Sequence, residues 1–169
     1  MAQVKIYGLK EQLTPIKCEL SDVIHSCVVE ALRFPQDKRA HRFFPLEAED
    51  FFYPAGRSPA YTIIEISMIA GRTVATRKQL IRLLFDRISC TLGIAQQDLE
   101  INITESPACN WGFRGFHGDE VKLNYNIFEM GEKFSLTSAN SNGLDQAPTI
   151  RRFYINSDTG LLEKLTYER

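Results

Sequence analysis

The sequence predicts an α/β (α+β) fold: two tandem β-α-β units forming a four-stranded mixed sheet, with two helices on one face and a C-terminal β-hairpin. Three observations predict this fold. Apolar positions recur at an offset of sixty residues along the chain. Each copy shows strand-like, helix-like and again strand-like periodicity in the same order. Near the C-terminus, alternating apolar residues flank an Asp/Gly-containing turn, which is typical of a hairpin.

The repeat aligns apolar residues of the two copies one by one. Strand residues Val4 and Ile6 correspond to Ile64 and Ile66. The further aligned pairs are Leu20 and Leu80, Val23 and Leu83, Ile24 and Leu84, Val28 and Ile88, Leu32 and Leu92, Phe34 and Ile94, and Phe43 and Ile103. Each helix is long enough to serve as a crossover, so the two strands within a copy are expected to be parallel.

In the first copy, a short β-prone run contains Val4. The first helix is predicted to start at Thr14, which can cap it, and Pro15, which suits the first helical position. It is predicted to end before Pro35, because a proline disfavours helical backbone in the preceding residue. The closing strand is expected near residues 39–44.

In the second copy, the helix is predicted to start near Thr73 and to end at Gly93, which suits a left-handed C-cap. The closing strand is expected near residues 99–104, where apolar and polar residues alternate. With both helices on one face, the other face of the sheet needs covering, and small domains commonly achieve this by oligomerisation.

We divide the chain at residue 125. Residues 1–125 are predicted to form the double β-α-β domain, and residues 126–169 a C-terminal extension. Within the extension, residues 137–149 are rich in Ser, Asn, Gly and Pro, which is typical of a linker. Strands near 151–156 and 161–167 are expected to form the hairpin around the turn at 157–160.

Composition and charge exclude several classes of function. Apolar residues make up 44% of the chain and charged residues 24%, an ordinary globular balance. The formal net charge of -1 argues against nucleic-acid binding. No apolar run is long enough for a membrane helix, and we expect a cytoplasmic protein. The four cysteines have no zinc-ligand spacing, so we expect reduced thiols and no bound metal.

Two motifs of the second copy carry a family resemblance. Residues 70–73 read Ala-Gly-Arg-Thr, and residues 110–115 read Asn-Trp-Gly-Phe-Arg-Gly. With both motifs in register, residues 62–105 resemble the 4-oxalocrotonate tautomerase unit of the tautomerase superfamily. The span from Ala2 to Tyr125 is similar to the double-length members, of the malonate semialdehyde decarboxylase and chloroacrylic acid dehalogenase type. The resemblance implies a homotrimer that uses no cofactor and acts on a small carboxylate substrate.

The resemblance also implies catalytic residues. The catalyst of the family is an amino-terminal proline, and the matching position here holds Ala2. Removal of Met1 would free the α-amine of Ala2, which can still accept a proton. Arg72 is implied to hold the substrate carboxylate and steady developing negative charge. Asp37 lies near an acidic residue of the decarboxylase-like members and is implied to activate water.

Three further residues are implied to bind the substrate. Trp111 and Phe113 match the aromatic pair of the decarboxylase and would form walls that keep the pocket dry. Arg114 follows them at the glycine turn and would supply a second cation besides Arg72.

Three functional hypotheses follow from these residues. The first is a cofactor-independent tautomerase or isomerase of small 2-oxo or enol carboxylic acids, with weak or lost activity because alanine replaces proline. The second is a catalytically silent tautomerase-fold trimer that acts as a binding or structural module, favoured by Ala2, Gln12 and Glu100 where family members carry other residues. The third is a decarboxylase or hydratase of a 3-oxo acid that works through Asp37 and water.

Overall fold

The structure, a computed structural model, describes residues 2–122, Tyr125 and the backbone of the strands at 149–155 and 162–168. The chain divides into two compact units, Met1–Gly131 and Glu132–Arg169. The first unit contains both β-α-β copies, and the second contains the C-terminal hairpin.

A four-stranded mixed sheet forms the centre of the first unit. Its strands are β1 (Ala2–Leu9), β2 (His41–Leu46), β3 (Thr62–Ile69) and β4 (Leu99–Ser106), in the order β2-β1-β3-β4. Strand β1 is parallel to β2, and β3 is parallel to β4, while β1 and β3 are antiparallel. The predicted mixed sheet of two crossover units is therefore confirmed.

The pairing of β1 with β3 brings equivalent residues of the two copies together about one point. Val4 lies opposite Ile66, and Ile6 lies opposite Ile64. Lys5 pairs with its own repeat equivalent, Glu65, and its Nζ atom lies 3.7 Å from the Glu65 Oε2 atom. A pseudo-twofold axis therefore passes through this pair and relates the two copies.

Helices α1 (Lys10–Leu32) and α2 (Val74–Leu92) pack together on one face of the sheet and enclose the core. Alternate residues of β1 and β3 point into this core, as the period of two in a strand requires. The largest fully buried side chains are Ile6, Leu13, Leu20, Ile24, Leu32, Ile64, Ile66, Leu80, Leu84 and Ile88. Most of these residues belong to the aligned pairs of the repeat.

The ends of α2 follow the local sequence signals. Thr73 is the N-cap, and its side chain accepts a hydrogen bond of 3.2 Å from the backbone N–H of Thr76. Gly93 has a φ of 68° at the C-cap and donates its N–H to the Ser89 carbonyl at 3.1 Å. Both predicted helix boundaries are confirmed, because each depends on atoms within one turn of the chain.

The predicted start of α1 is wrong. The helix begins at Lys10, directly after β1, and Pro15 lies inside it. The early start brings Leu13 into the core, where only 1% of its surface is exposed, and this burial offsets the hydrogen bond that Pro15 cannot donate. The first copy consequently lacks the turn that residues 70–73 form in the second, and Gln12 is an exposed helical residue.

Strand β2 lies two residues later than predicted, at His41–Leu46 instead of 39–44. It is an edge strand, so Pro45 is tolerated although it lacks a backbone donor. Residues 33–40 therefore form a connection, here called the α1–β2 loop. This loop is tied to β1, because the Val4 N–H donates to the Ala40 carbonyl at 2.9 Å.

His41, the first residue of β2, is held against α1. Its Nδ1 atom lies 2.9 Å from the Ser21 hydroxyl, and its ring meets the His25 ring edge-on at a centroid distance of 6.0 Å. Burial, followed by the electrostatic effects of His25 and Arg39, lowers the pKa of His41 from 6.5 to about 4. The folded protein therefore holds this imidazole neutral.

In the second unit, strands β7 (Thr149–Ile155) and β8 (Leu162–Glu168) pair in antiparallel orientation. The predicted C-terminal hairpin is confirmed, with strand ends within two residues of those expected. The predicted turn at 157–160 lies outside the described residues, as does the predicted linker at 137–149 except for Thr149.

Within the described part of the chain, no helix combines the length and apolar character needed to cross a membrane. The same part of the chain contains no cluster of His, Cys, Asp and Glu side chains arranged to hold a metal ion. The four cysteines are free thiols, of which Cys27 is buried and the other three are exposed.

The lowered pKa of His41 predicts a loss of stability in mild acid. Between pH 7 and pH 5 the unfolded chain binds a proton at His41 that the folded chain does not, so the free energy of unfolding should fall by about 1 kcal/mol after allowance for partial solvent exposure. Urea denaturation at both pH values measures the change. His41→Asn, which keeps an acceptor for Ser21, should lose distinctly less stability, whereas equal losses in parent and variant would contradict the assignment.

Candidate functional site

A cavity of about 570 Å³ opens beside the beginning of β1. Four of the residues predicted from sequence line it together: Ala2, Asp37, Phe113 and Arg114. The complete lining consists of Ala2, Phe34, Asp37, Lys38, Arg39, Ala40, Phe113, Arg114, Lys122 and Tyr125. Segments far apart in sequence therefore converge on one space.

Ala2 is placed at the cavity by strand pairing. It is the first residue of β1, lies opposite Met68 of β3 and is 6% exposed. The next tie along the strand is the hydrogen bond from Val4 to Ala40, a residue that also lines the cavity. The backbone at Ala2 is thus held between a central strand and the α1–β2 loop.

The α1–β2 loop supplies half of the cavity lining, from Phe34 to Ala40. Arg33 ends α1 in the left-handed conformation, with a φ of 50°, and turns the chain toward the cavity. Phe34 is buried, whereas Asp37 is exposed to solvent. The Lys38 N–H donates to the Pro35 carbonyl at 3.1 Å and closes a turn around Asp37. The loop thus offers a carboxylate on an ordered backbone.

Arg114 reaches the cavity from a tight hairpin. Strands β5 (Gly112–Phe113) and β6 (Phe116–His117) are antiparallel and are joined by Arg114 and Gly115. Both joining residues have positive φ values, 57° and 82°, as a two-residue type I′ turn requires. An arginine in this conformation is uncommon and costs about 1 to 2 kcal/mol. Such strain is concentrated at functional sites in proteins.

Trp111 anchors the loop that carries this hairpin. Its indole N–H donates to the Ser106 hydroxyl at 2.9 Å, and its carbonyl accepts from the Gly118 N–H at 2.7 Å. A Cβ atom at Gly118 would lie 2.4 Å from the Ala108 carbonyl oxygen, so the loop closes too tightly for any other residue. Trp111 itself is half-buried and is not among the described residues that line the cavity.

Arg72 is buried in the turn between β3 and α2, after Gly71 with its φ of 137°. It does not line the cavity formed by the described residues, but it lies close to one residue that does. Burial raises the pKa of Tyr125, and the positive charge of Arg72 opposes that rise in part. The structure therefore puts Arg72 near the cavity wall at Tyr125.

Tyr125 forms an aromatic wall with Phe34. Their rings meet edge-on at a centroid distance of 5.1 Å. The Lys38 ammonium lies 4.8 Å from the centroid of the Tyr125 ring, close enough for a cation–π contact. The wall therefore combines an apolar surface with a nearby positive charge.

Positive charge dominates the lining. Lys38, Arg39, Arg114 and Lys122 are cationic, and Asp37 is the single carboxylate among the described lining residues. Arg39 is paired with Asp22 at 2.6 Å, outside the cavity lining. Arg114 and Lys122 have no ion pair with any described residue. This arrangement suits a small anion, and guanidinium groups bind carboxylates in bidentate geometry.

Sequence reasoning missed several lining residues. Lys38 and Arg39 adjoin Asp37 in sequence, and this basic stretch was a visible signal for an anion site. Lys122 and Tyr125 follow the second copy and belong to no repeat or motif. No sequence pattern marks them, because their approach to Phe34 is a matter of tertiary packing.

The centre of the chain is similar to a known protein family. A family model described as tautomerase enzyme matches residues 38–114. The probable tautomerase YusQ of Bacillus subtilis (strain 168) is 26% identical over 100 residues, which cover 56% of this chain and 79% of YusQ. The probable tautomerase YrdN of the same organism is 29% identical over 100 residues, which cover 56% of this chain and 77% of YrdN.

Solved structures share the fold over about two thirds of this chain. Native fused 4-OT has a TM-score of 0.63 at 20% identity, covering 69% of this chain and 96% of its own. Malonate semialdehyde decarboxylase has a TM-score of 0.59 at 18% identity, covering 66% and 89%. Protein N1 of the cis-3-chloroacrylic acid dehalogenase family has a TM-score of 0.60 at 17% identity, covering 68% and 82%. The matching family model, the two curated relatives and this shared fold together support the tautomerase superfamily as the family to which this chain is similar.

Proposed function

We propose that this protein is a cofactor-independent tautomerase or isomerase of small 2-oxo or enol carboxylic acids, and that the cavity at Ala2 is its active site. The observation that carries the proposal is the convergence of Ala2, Asp37, Phe113 and Arg114 on one cavity rich in cations. The family resemblance implies a catalytic or substrate-binding role for each of these residues. Apart from Phe113 and Arg114, they are far apart in sequence.

The α-amine of Ala2, freed by removal of Met1, acts as the base. An unperturbed terminal amine has a pKa of about 7.7–8.0. Apolar surroundings and nearby cations disfavour the protonated amine, so they leave a neutral base at pH 7. In ketonisation this amine takes the proton from the enol oxygen and returns a proton to the adjacent carbon.

The cations hold the carboxylate of the substrate. Arg114 reaches into the cavity from a rigid turn, and Lys122 adds a second positive charge. Arg72, near Tyr125, adds positive potential from the wall and steadies the negative charge that develops on the enolate oxygen. Phe113 bounds the site, and Trp111 supports this aromatic wall by holding its loop.

Alanine makes a weaker catalyst than proline would. A primary amine at the end of a strand rotates about its N–Cα bond, whereas the pyrrolidine ring of proline holds its nitrogen in one orientation. We therefore expect low activity from an otherwise complete pocket.

A second candidate function is favoured by the position of Asp37. Its carboxylate lines the cavity and is exposed to solvent, so it can accept a proton from a water molecule that adds to a 3-oxo acid. The structure of malonate semialdehyde decarboxylase is described in terms of decarboxylase and hydratase activities. Decarboxylation or hydration would then proceed without the terminal amine.

We further propose a homotrimer. On the sheet face away from the helices, Tyr7 stacks on Phe44 at a centroid distance of 4.8 Å, and Ile63 is only half-buried in a single chain. This apolar surface needs covering. Fused 4-OT structures with the same fold are described as trimers.

The first prediction concerns the base. The parent should ketonise phenylenolpyruvate slowly, and Ala2→Pro should raise kcat about 10-fold or more because it restores a constrained amine. Loss of the enol absorbance measures the rate, and intact mass verifies removal of Met1. Carbamoylation of the terminal amine is the control and should abolish the reaction. Silence of both the parent and Ala2→Pro would contradict the proposal and favour a binding module.

The second prediction concerns Arg114. Asparagine tolerates the positive φ of this turn, so Arg114→Asn removes the charge with little strain. We expect KM for the enol to rise about 10-fold, because a charged hydrogen bond to the carboxylate is lost. Arg114→Lys should recover part of the loss. Lys17→Asn, on the exposed side of α1, is the matched control for net charge and should leave KM unchanged. An unchanged KM in Arg114→Asn would remove Arg114 from the site.

The third prediction concerns assembly. Light scattering coupled to size exclusion should give three times the chain mass of 19.3 kDa. Ile63→Glu places a charge on the proposed interface and should yield monomers with unchanged helical circular dichroism. Phe52→Glu is the control, because Phe52 is 89% exposed on a loop, and it should remain trimeric. A monomeric parent would refute the trimer.

A further inference from the structure

We propose that His25 of helix α1, which does not itself line the cavity, is a positioning residue for the active site. Through the backbone of Gln36 it holds the α1–β2 loop and so sets the position of Asp37 relative to Ala2. The inference rests on the proposed function of the cavity as the active site. In this inference, His25 affects the reaction only through the α1–β2 loop.

The hydrogen bonding of His25 fixes its tautomer. Its Nε2 atom lies 2.9 Å from the Gln36 carbonyl oxygen. A carbonyl only accepts, so Nε2 carries the proton and donates it. The opposite nitrogen, Nδ1, is then an acceptor, and it is buried without a partner among the described residues. Among the described residues, the hydrogen bond to the Gln36 carbonyl is thus the one that the His25 side chain makes.

Burying the His25 imidazole at this position costs free energy, because its Nδ1 atom has no hydrogen-bond partner among the described residues. His25 is 6% exposed and lies among apolar residues of α1 such as Ile24 and Val28. An apolar side chain in its place would leave no buried nitrogen unsatisfied and would suit the helix better. What an apolar side chain cannot do is bind the carbonyl that immediately precedes Asp37.

Beyond Asp37, other contacts tie the loop to the fold. Arg39 donates to the Asp22 carboxylate at 2.6 Å and to the Ser21 hydroxyl at 3.4 Å. The Ala40 carbonyl accepts from Val4 of β1. Before Asp37, Phe34 is buried in the core and donates its N–H to the Val29 carbonyl of α1 at 3.1 Å. Between Phe34 and Asp37, the bond from His25 to Gln36 is the hydrogen bond to another element among the described contacts.

The hydrogen bond from His25 determines how firmly Asp37 is held. With this bond intact, Asp37 is held from both sides, by α1 at Gln36 and by α1 and β1 at residues 39 and 40. Without the bond, the described anchors nearest to Asp37 are Phe34 on one side and residues 39 and 40 on the other, so Gln36 and Asp37 are less firmly held, while Ala2 remains fixed by its own strand pairing. The spacing between the two proposed catalytic groups then fluctuates, and misplacement on the scale of 1 Å is enough to slow catalysis.

The test uses two variants of the full chain. His25→Gln keeps an N–H donor at about the position of Nε2, and His25→Met fills the space without a donor. Hydrogen exchange of the Lys38 amide, which closes the turn around Asp37, should become about 10-fold faster in His25→Met and return toward the parent in His25→Gln. The Ile66 amide, in the central strand β3, is the internal control. Equal exchange at Lys38 in all three proteins overturns the inference.

A double-mutant cycle in kcat/KM separates positioning from general destabilisation. His25→Met should lower kcat/KM for hydration of a 3-oxo acid, the reaction proposed for Asp37, about 10-fold in the parent and change it little in an Asp37→Ala background, because the loop then has no catalytic group to place. Independent, multiplicative losses would show a merely structural role and overturn the inference. A parent that is silent toward both enols and 3-oxo acids refutes the proposed function instead. The exchange at Lys38 still decides whether His25 anchors the loop.

Discussion

The antiparallel pairing of β1 and β3 is the contact on which the rest of this structure depends. Each β-α-β copy has one helix and two strands, too little to enclose a core alone. Pairing the two first strands about the Lys5–Glu65 position brings both helices onto one face and buries Ile6 and Ile64 between them. The same pairing fixes Ala2 at the strand end, so the core and the proposed active site share one constraint.

The cavity is built from connections that this sheet holds at their ends. The α1–β2 loop gives it Asp37 and four further lining residues, and the β5–β6 hairpin gives it Arg114 in a strained backbone conformation. Such connections can vary without disturbing the core, which is how one fold serves several reactions. In this chain the loop contributes the Asp37 carboxylate and the hairpin contributes the Arg114 guanidinium cation, so the two sides of the cavity differ chemically.

Two proposed proton-transfer groups of different kinds therefore share one cavity rich in cations. The proposed terminal amine acts as a base when neutral, which the surrounding cations favour, and a carboxylate acts as a base when ionised. The cavity thus supports base chemistry from either group. Their relative placement decides which reaction is efficient, and that placement depends on how firmly residues 33–40 are held.

Local sequence patterns are enough to predict the repeat, the mixed sheet, the caps of α2 and the hairpin at the C-terminus, because each depends on periodicity or on atoms within one turn. They misplaced the start of α1, where burial of Leu13 outweighed the local signals of Thr14 and Pro15. Family motifs marked Asp37 and Arg114, but only the tertiary structure put them around one cavity, added Lys122 and Tyr125, and set Arg72 near the wall. Convergence of distant segments is decided by packing, which no local pattern encodes.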